Sequence, residues 1–109
     1  MPWYRAAARS DLDGRDVLGV RCGDRRVALY ALEDGVYATS DACPHMGASL
    51  AGGCVVQGWV ECPAHRALFD IRTGAADGAV TATGVRTFPV KVEGGAVYVD
   101  VPAVEESAG

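Results

Sequence analysis

Both histidines of this 109-residue chain fall in one stretch, each beside a cysteine and a proline. Cys43-Pro44-His45 opens the stretch and Cys62-Pro63-Ala64-His65 closes it, with sixteen residues between His45 and Cys62. Two thiols and two imidazoles in this order constrain the fold strongly, because two short loops must close on one metal centre from opposite sides. Ordinary core packing offers no reason to pair Cys with His twice. A closed structural zinc site takes two thiolates and two imidazoles around a single ion. Zinc modules usually pair like with like, C-x₂₋₄-C followed by H-x₃₋₅-H. A two-iron cluster takes the same four groups, split between its irons. Here each half of the motif holds one Cys and one His, so each loop can supply one ligand to each iron.

The rest of the chain reads as short strands separated by turns. Strand-like runs cover residues 2–8, with Trp3 available to the core, then 17–22, 26–32 and 36–39. Residues 10–14 form a turn with room for one helical turn, and Glu33-Asp34-Gly35 reads as a hairpin turn. Between the ligand pairs, residues 49–53 are a loop. Residues 54–56 and 59–61 then form a tight hairpin around Gln57-Gly58, whose second strand delivers Cys62. A further strand spans 67–71, and residues 75–84 lack large apolar groups and read as a long loop. Residues 86–93 and 96–101 close the chain as a hairpin around Gly94-Gly95, and 104–109 form a frayed acidic tail. Frequent glycine turns without sustained helical periodicity indicate a single antiparallel all-β domain over residues 1–109. Half the residues are hydrophobic, but many are Ala and Val. A cross-linking metal would therefore help so small a domain.

The spacing C-P-H-x₁₆-C-P-A-H resembles the C-x-H…C-x-x-H signature of the Rieske family, from Trp3 to about Val101 and most specifically over residues 43–74. The resemblance implies an antiparallel β-sandwich with a small two-loop cluster-binding subdomain, about residues 41–74. It implies a [2Fe–2S] cluster held by Cys43 and Cys62 on the inner iron and His45 and His65 on the outer. Gly47 would admit backbone amides close to the cluster sulfurs, and Pro44 and Pro63 would stiffen the loops. High-potential members carry an extra cysteine in each loop, and a serine and a tyrosine after the second histidine. Those positions here are Ala48, Ala64, Ala67 and Phe69, none of which donates a hydrogen bond, which implies a low-potential cluster.

The members most like this chain are small ferredoxins of bacterial aromatic-ring-hydroxylating oxygenase systems. The implied function is one-electron transfer from a flavoprotein reductase to a terminal oxygenase, by a carrier that is not itself an enzyme. This chain departs from them at Arg66-Ala67 and at residues 75–80, where a covering loop with proline is common. No third histidine is present for a two-His-one-carboxylate iron site, nor any G-x-G-x-x-G for a nucleotide. A net charge of −4 argues against nucleic acid as partner. With no signal-like start and no apolar run near ~20 residues, the expectation is a cytoplasmic monomer without membrane contact. Cys22 and Cys54 lie outside the motif in strand-like runs and are expected as buried free thiols. Two alternatives stay open: a Cys2His2 structural zinc module, and a small Rieske-like subunit of another redox enzyme such as a nitrite reductase.

Overall fold

The computed structural model describes residues 3–44, 48–64, 66–78 and 83–102. Three antiparallel sheets make up these residues. The first pairs β1 (Trp3–Ala8), β10 (Ala96–Asp100) and β9 (Val90–Glu93), in that order. The second runs β2 (Val17–Cys22), β3 (Arg25–Leu32), β4 (Gly35–Ser40) and β8 (Thr87–Phe88). The third, β5 (Cys54–Val56), β6 (Trp59–Glu61) and β7 (Leu68–Asp70), lies between the two halves of the Cys/His motif and just beyond them. Single 3-10 turns occupy Arg9–Leu12 and Leu50–Gly52. The antiparallel all-β fold expected from turn spacing and alternation is present, arranged as the sandwich that the resemblance implies.

Strand β3 joins the parts, because it is buried on both faces. Its run Val27-Ala28-Leu29-Tyr30 is fully buried and lacks the polar alternation of a half-exposed strand. Val27 and Leu29 enter one core with Leu12, Cys22, Phe88, Val97 and Val99, which packs the first sheet on the second. Ala28 and Tyr30, pointing the other way, enter a second core with Leu50, Val60, Phe69, Ile71 and both motif cysteines. The small third sheet is thereby fastened to the outer face of the sandwich. Inside this second core the Tyr30 hydroxyl lies 2.8 Å from Thr39 Oγ1. Burial pushes that hydroxyl's pKa up to about 12, so it stays protonated.

Three expectations need correction. Residues 86–93 are not one strand: β8 pairs with β4, whereas β9 pairs with β10 in the other sheet. Pro89 stands at the crossing, lacking the N–H that a continuous ladder would need. Its carbonyl still accepts the Asp100 N–H at 3.0 Å. Trp3 belongs to neither core; it is half-buried, with the Lys91 ammonium 4.6 Å from its ring centroid. Residues 75–77 are not a bare loop, since Ala76 bridges Phe69 and the Asp77 N–H reaches the Leu68 carbonyl at 3.0 Å. Residues 79–82 and the acidic tail at 104–109 lie outside the described residues.

Candidate metal centre

The two motif halves fold as the same loop used twice. In the first, the Cys43 N–H donates to the Ala48 carbonyl at 2.8 Å, and Ala42 bridges Ser49. In the second, the Cys62 N–H donates to the Ala67 carbonyl at 2.8 Å, and Glu61 pairs with Leu68. The cysteine is bonded to the fifth residue after it in both cases, and the flanking pair has the same register. Cys43 and Cys62 are 1% and 0% exposed, whereas Pro44, Pro63 and Ala64 are exposed. Both loops thus plant their cysteine in the second core and turn their next residues to solvent. A proline after each cysteine contributes no N–H that the turn would otherwise have to satisfy.

Of the four expected ligands, the structure brings Cys43 and Cys62 into one buried cluster with Ala67 and Phe69. His45 and His65 lie outside the described residues, as do Met46 and Gly47. The donor set suits an iron–sulfur group: two buried thiols at the base of matched loops, inside a shell of apolar side chains. Ala67 and Phe69 are buried and Ala48 half-buried beside the cysteines, so none of the three places a hydroxyl there.

Asp41 went unnoticed in the sequence and is the main fixture of the first loop. The residue is 3% exposed and is a hub of five hydrogen bonds. Its carboxylate accepts from Ser49 Oγ at 3.0 Å, Ala51 N at 2.9 Å and Arg26 Nη2 at 3.1 Å. Its own N–H donates to the Arg26 carbonyl, and its carbonyl accepts the Leu50 N–H at 2.7 Å. Both ends of the loop are therefore tied to β3 and to the 3-10 turn at Leu50–Gly52. The only sequence signal was an acidic residue two positions before a buried cysteine.

The second loop is fixed by backbone contact. A Cβ at Gly53 would collide with the Glu61 carbonyl, so only glycine lets the chain cross there, next to Cys62. Gly74, at φ +81, meets the Val85 carbonyl in the same manner and ends the turn after β7. Asp70 Oδ1 shapes that turn by accepting the N–H groups of Arg72 and Thr73 at 2.9 and 3.1 Å. Arg72 then reaches back to the sandwich, making a two-point bond to Asp34 at 2.8 and 3.1 Å. Its guanidinium also lies 5.3 Å from the centroid of the Tyr37 ring. Hydrogen bonding from Arg72, with a smaller contribution from Tyr37, holds the Asp34 carboxyl below its ordinary pKa, against a weaker desolvation effect.

The two other cysteines part company. Cys22 is buried in the first core as expected, and burial pushes its thiol pKa up. Cys54 is exposed, contrary to expectation. It begins the edge strand β5, where Cys54 and Val56 face out and only Val55 packs against the second core.

A family model described as Rieske [2Fe-2S] domain matches residues 2–89. The ferredoxin component of a naphthalene 1,2-dioxygenase system from Pseudomonas putida is 38% identical over 99 residues, covering 91% of this chain and 95% of that protein. Among solved structures, the ferredoxin of carbazole 1,9a-dioxygenase from Nocardioides aromaticivorans IC177 aligns with a TM-score of 0.84. Its identity is 30%, covering 91% of this chain and 97% of that one. A chain from a complex of reduced oxygenase and oxidized ferredoxin in carbazole 1,9a-dioxygenase aligns with a TM-score of 0.82 and 34% identity. That match covers 90% of this chain and 92% of the other.

Proposed function

The chain belongs to the Rieske [2Fe–2S] domain family, and on that premise we propose that it is the electron-carrying ferredoxin of an aromatic-ring-hydroxylating oxygenase system. The carrying observation is the pair of matched loops, each burying one cysteine and turning its following residues outward. When bound, the cluster supplies a site that gains and loses one electron and has no open coordination position.

Cys43 and Cys62 supply the two thiolates from inside the core. His45 and His65 supply the two imidazoles, an assignment that rests on their places in the C-x-H and C-x-x-H pairs. Asp41 and the Gly53 crossing hold the two loops at a fixed separation, and the apolar neighbours Ala67 and Phe69 exclude water and offer no hydroxyl. Without such donors the electron-rich state is less stabilised, so the midpoint potential sits low in the family's range. The structural zinc alternative is set aside, because the family is one of [2Fe–2S] domains.

The carrier receives an electron from a flavoprotein reductase and delivers it to a terminal oxygenase through the same loop tips. It works as a monomer in the cytoplasm and binds neither nucleic acid nor membrane. No helix among the described residues is long and apolar enough to cross a membrane.

The test begins with ligation. Cys62→Ala should lose iron and acid-labile sulfide, while Cys22→Ser should retain both. Cys62→Ala should also be markedly easier to unfold, since metal binding contributes to folding where the site is absent from the unfolded chain. A full iron complement in Cys62→Ala would overturn the ligand assignment. For the functional half, purified carrier should be reduced by a flavoprotein reductase and reoxidised by a terminal oxygenase holding aromatic substrate. Failure with every such pair would overturn the oxygenase reading and leave the cluster in place.

A further inference from the structure

Arg66 combines a backbone conformation that L-residues avoid with a side chain that the fold scarcely uses. It is one of two non-glycine residues with positive φ among the described residues, at +64°. The other, Gln57, is accounted for by its place with Gly58 in the two-residue hairpin turn between β5 and β6. Arg66 sits instead in the second ligand loop, directly after His65. Its N–H donates to the Cys62 carbonyl at 2.9 Å, while the Cys62 N–H donates to Ala67. These two bonds lie on either side of the left-handed turn at position 66.

The first loop, which closes with the same bond, has Gly47 at the equivalent place in its sequence, four positions after the cysteine. Glycine would be the unstrained choice in the second loop too. The arginine does little for the fold in return. Its side chain is 85% exposed, and its one ion pair among the described residues, to the half-buried Glu61, is long at 3.4 Å. Such a pair between exposed groups contributes little. The other exposed described residues of the two loops, Pro44, Pro63 and Ala64, carry no charge. Among the described residues of the two loops, Arg66 is therefore the one that carries a charge, on a chain of net charge −4.

We propose that Arg66 is a specificity-determining docking residue that pairs with a carboxylate on the terminal oxygenase, at the rim of the oxygenase's electron-accepting site. This rests on the carrier function proposed above. A guanidinium presents a planar fork that fixes the orientation of a carboxylate as well as attracting it. Orientation is what an electron-transfer encounter needs, since the partner must meet the loop tips and no other face. Residual strain at a functional position is expected where binding, not folding, is the use of the side chain.

The test compares Arg66→Gln, Arg66→Lys and Arg66→Gly with wild type, all cluster-loaded. Iron content, visible spectrum and midpoint potential should be the same in all four. Chemically reduced carrier is mixed with oxygenase, and the second-order rate of reoxidation is followed as salt is raised. Arg66→Gln and Arg66→Gly should be slowed about tenfold at low salt and lose most of their salt dependence. Arg66→Lys should recover part of the rate, because it restores charge without the fork. Arg66→Gly should resist urea better than Arg66→Gln, because it alone relieves the left-handed strain. Gln and wild type with equal rates and salt slopes would overturn the proposal, as would Gly unfolding more easily than Gln. Both partners meet the loop tips, so a loss in reduction by the reductase equal to that with the oxygenase would overturn the assignment of this pair to the oxygenase. If the wild-type carrier itself fails to reduce the oxygenase, the carrier reading fails. If it succeeds and the variants match it, only the role of Arg66 fails.

Discussion

Replacing Asp41 separates two ways in which a buried carboxylate can hold a ligand loop. Oδ1 accepts from Ser49 Oγ and Ala51 N, while Oδ2 faces Arg26. In Asp41→Asn the amide oxygen can keep the first two bonds, and only the bond to Arg26 becomes donor against donor. Arg26 is 58% exposed, so solvent screens that ion pair, and its loss should cost about 1 kcal/mol. Asp41→Ala removes all three and leaves the Ala51 N–H and the Ser49 hydroxyl without that acceptor in a part-buried site. A stranded donor costs roughly 1–3 kcal/mol when buried and less where water reaches it, so the alanine variant should lose about 2 kcal/mol in total. Urea unfolding of the cluster-loaded protein, followed by circular dichroism with iron release recorded alongside, measures both losses. Iron should leave Asp41→Ala before the sandwich unfolds, because the loop would loosen while β3 stays packed on its other face. If asparagine proved as damaging as alanine, the charge would matter more than the acceptor geometry. If alanine cost no more than asparagine, the loop would be held by its backbone bonds alone.

The exposed Cys54 thiol should react with iodoacetamide within minutes in the folded protein, while Cys22 should react only on unfolding; mass spectrometry of peptides reads both, and equal labelling would contradict the burial difference. The Asp34 carboxyl has a folded pKa below its unfolded value, so its contribution is present above the ordinary carboxylate range and is lost as pH falls through the folded value. Arg72→Gln should therefore narrow the stability gap between pH 7 and about pH 3, and the narrowing should shrink in high salt because the pair is exposed; an unchanged gap at low salt would refute it. Phe69→Tyr and Ala67→Ser each place a hydroxyl in the buried cluster that holds both cysteines, and each should raise the midpoint potential by tens of millivolts. About 59 mV corresponds to a tenfold change in a one-electron equilibrium, and voltammetry showing no shift in either variant would mean that neither hydroxyl reaches a sulfur.

The parts of the fold legible in the sequence are those set by local chemistry. β2 was readable to its last residue because alternation and the Gly23-Asp24 turn bound it, and the β5–β6 hairpin because Gln57-Gly58 suits a two-residue turn. What stayed hidden depends on contacts distant in the chain. Asp41 finds its side-chain partners 8, 10 and 15 positions away, so nothing beside it marks it as buried. Cys54-Val55-Val56 is apolar throughout, and a run without polar alternation does not say which face is turned to solvent. Residues 86–93 alternate well enough for one strand, and the change of sheet at Pro89 becomes visible only once β4 and β10 are in place. The Cys/His motif is the reverse case, because residue type and spacing alone single out Cys43 and Cys62, which the fold brings into one buried cluster.

A one-electron carrier meets each partner in a different charge state, and its ligand positions must serve both. Any loop that rearranged between the states would add that rearrangement to the barrier, whereas a preorganised site does not. The first loop is tied at both ends through Asp41, and the second is locked where Gly53 crosses Glu61. Both cysteines share a core with Tyr30 of β3, whose neighbours Val27 and Leu29 are committed to the sandwich on the opposite face. A shift of either cysteine would thus have to displace a strand packed on two sides, and close-packed interiors resist such displacement. Arg72 adds a tie from the turn after β7 to Asp34 in the β3–β4 turn, on the exposed flank where packing is thinner. Arg66 fits the same arrangement, since its left-handed backbone lies within the bonds that fix the Cys62 loop, and its side chain, loosely paired with Glu61, stays exposed to a partner.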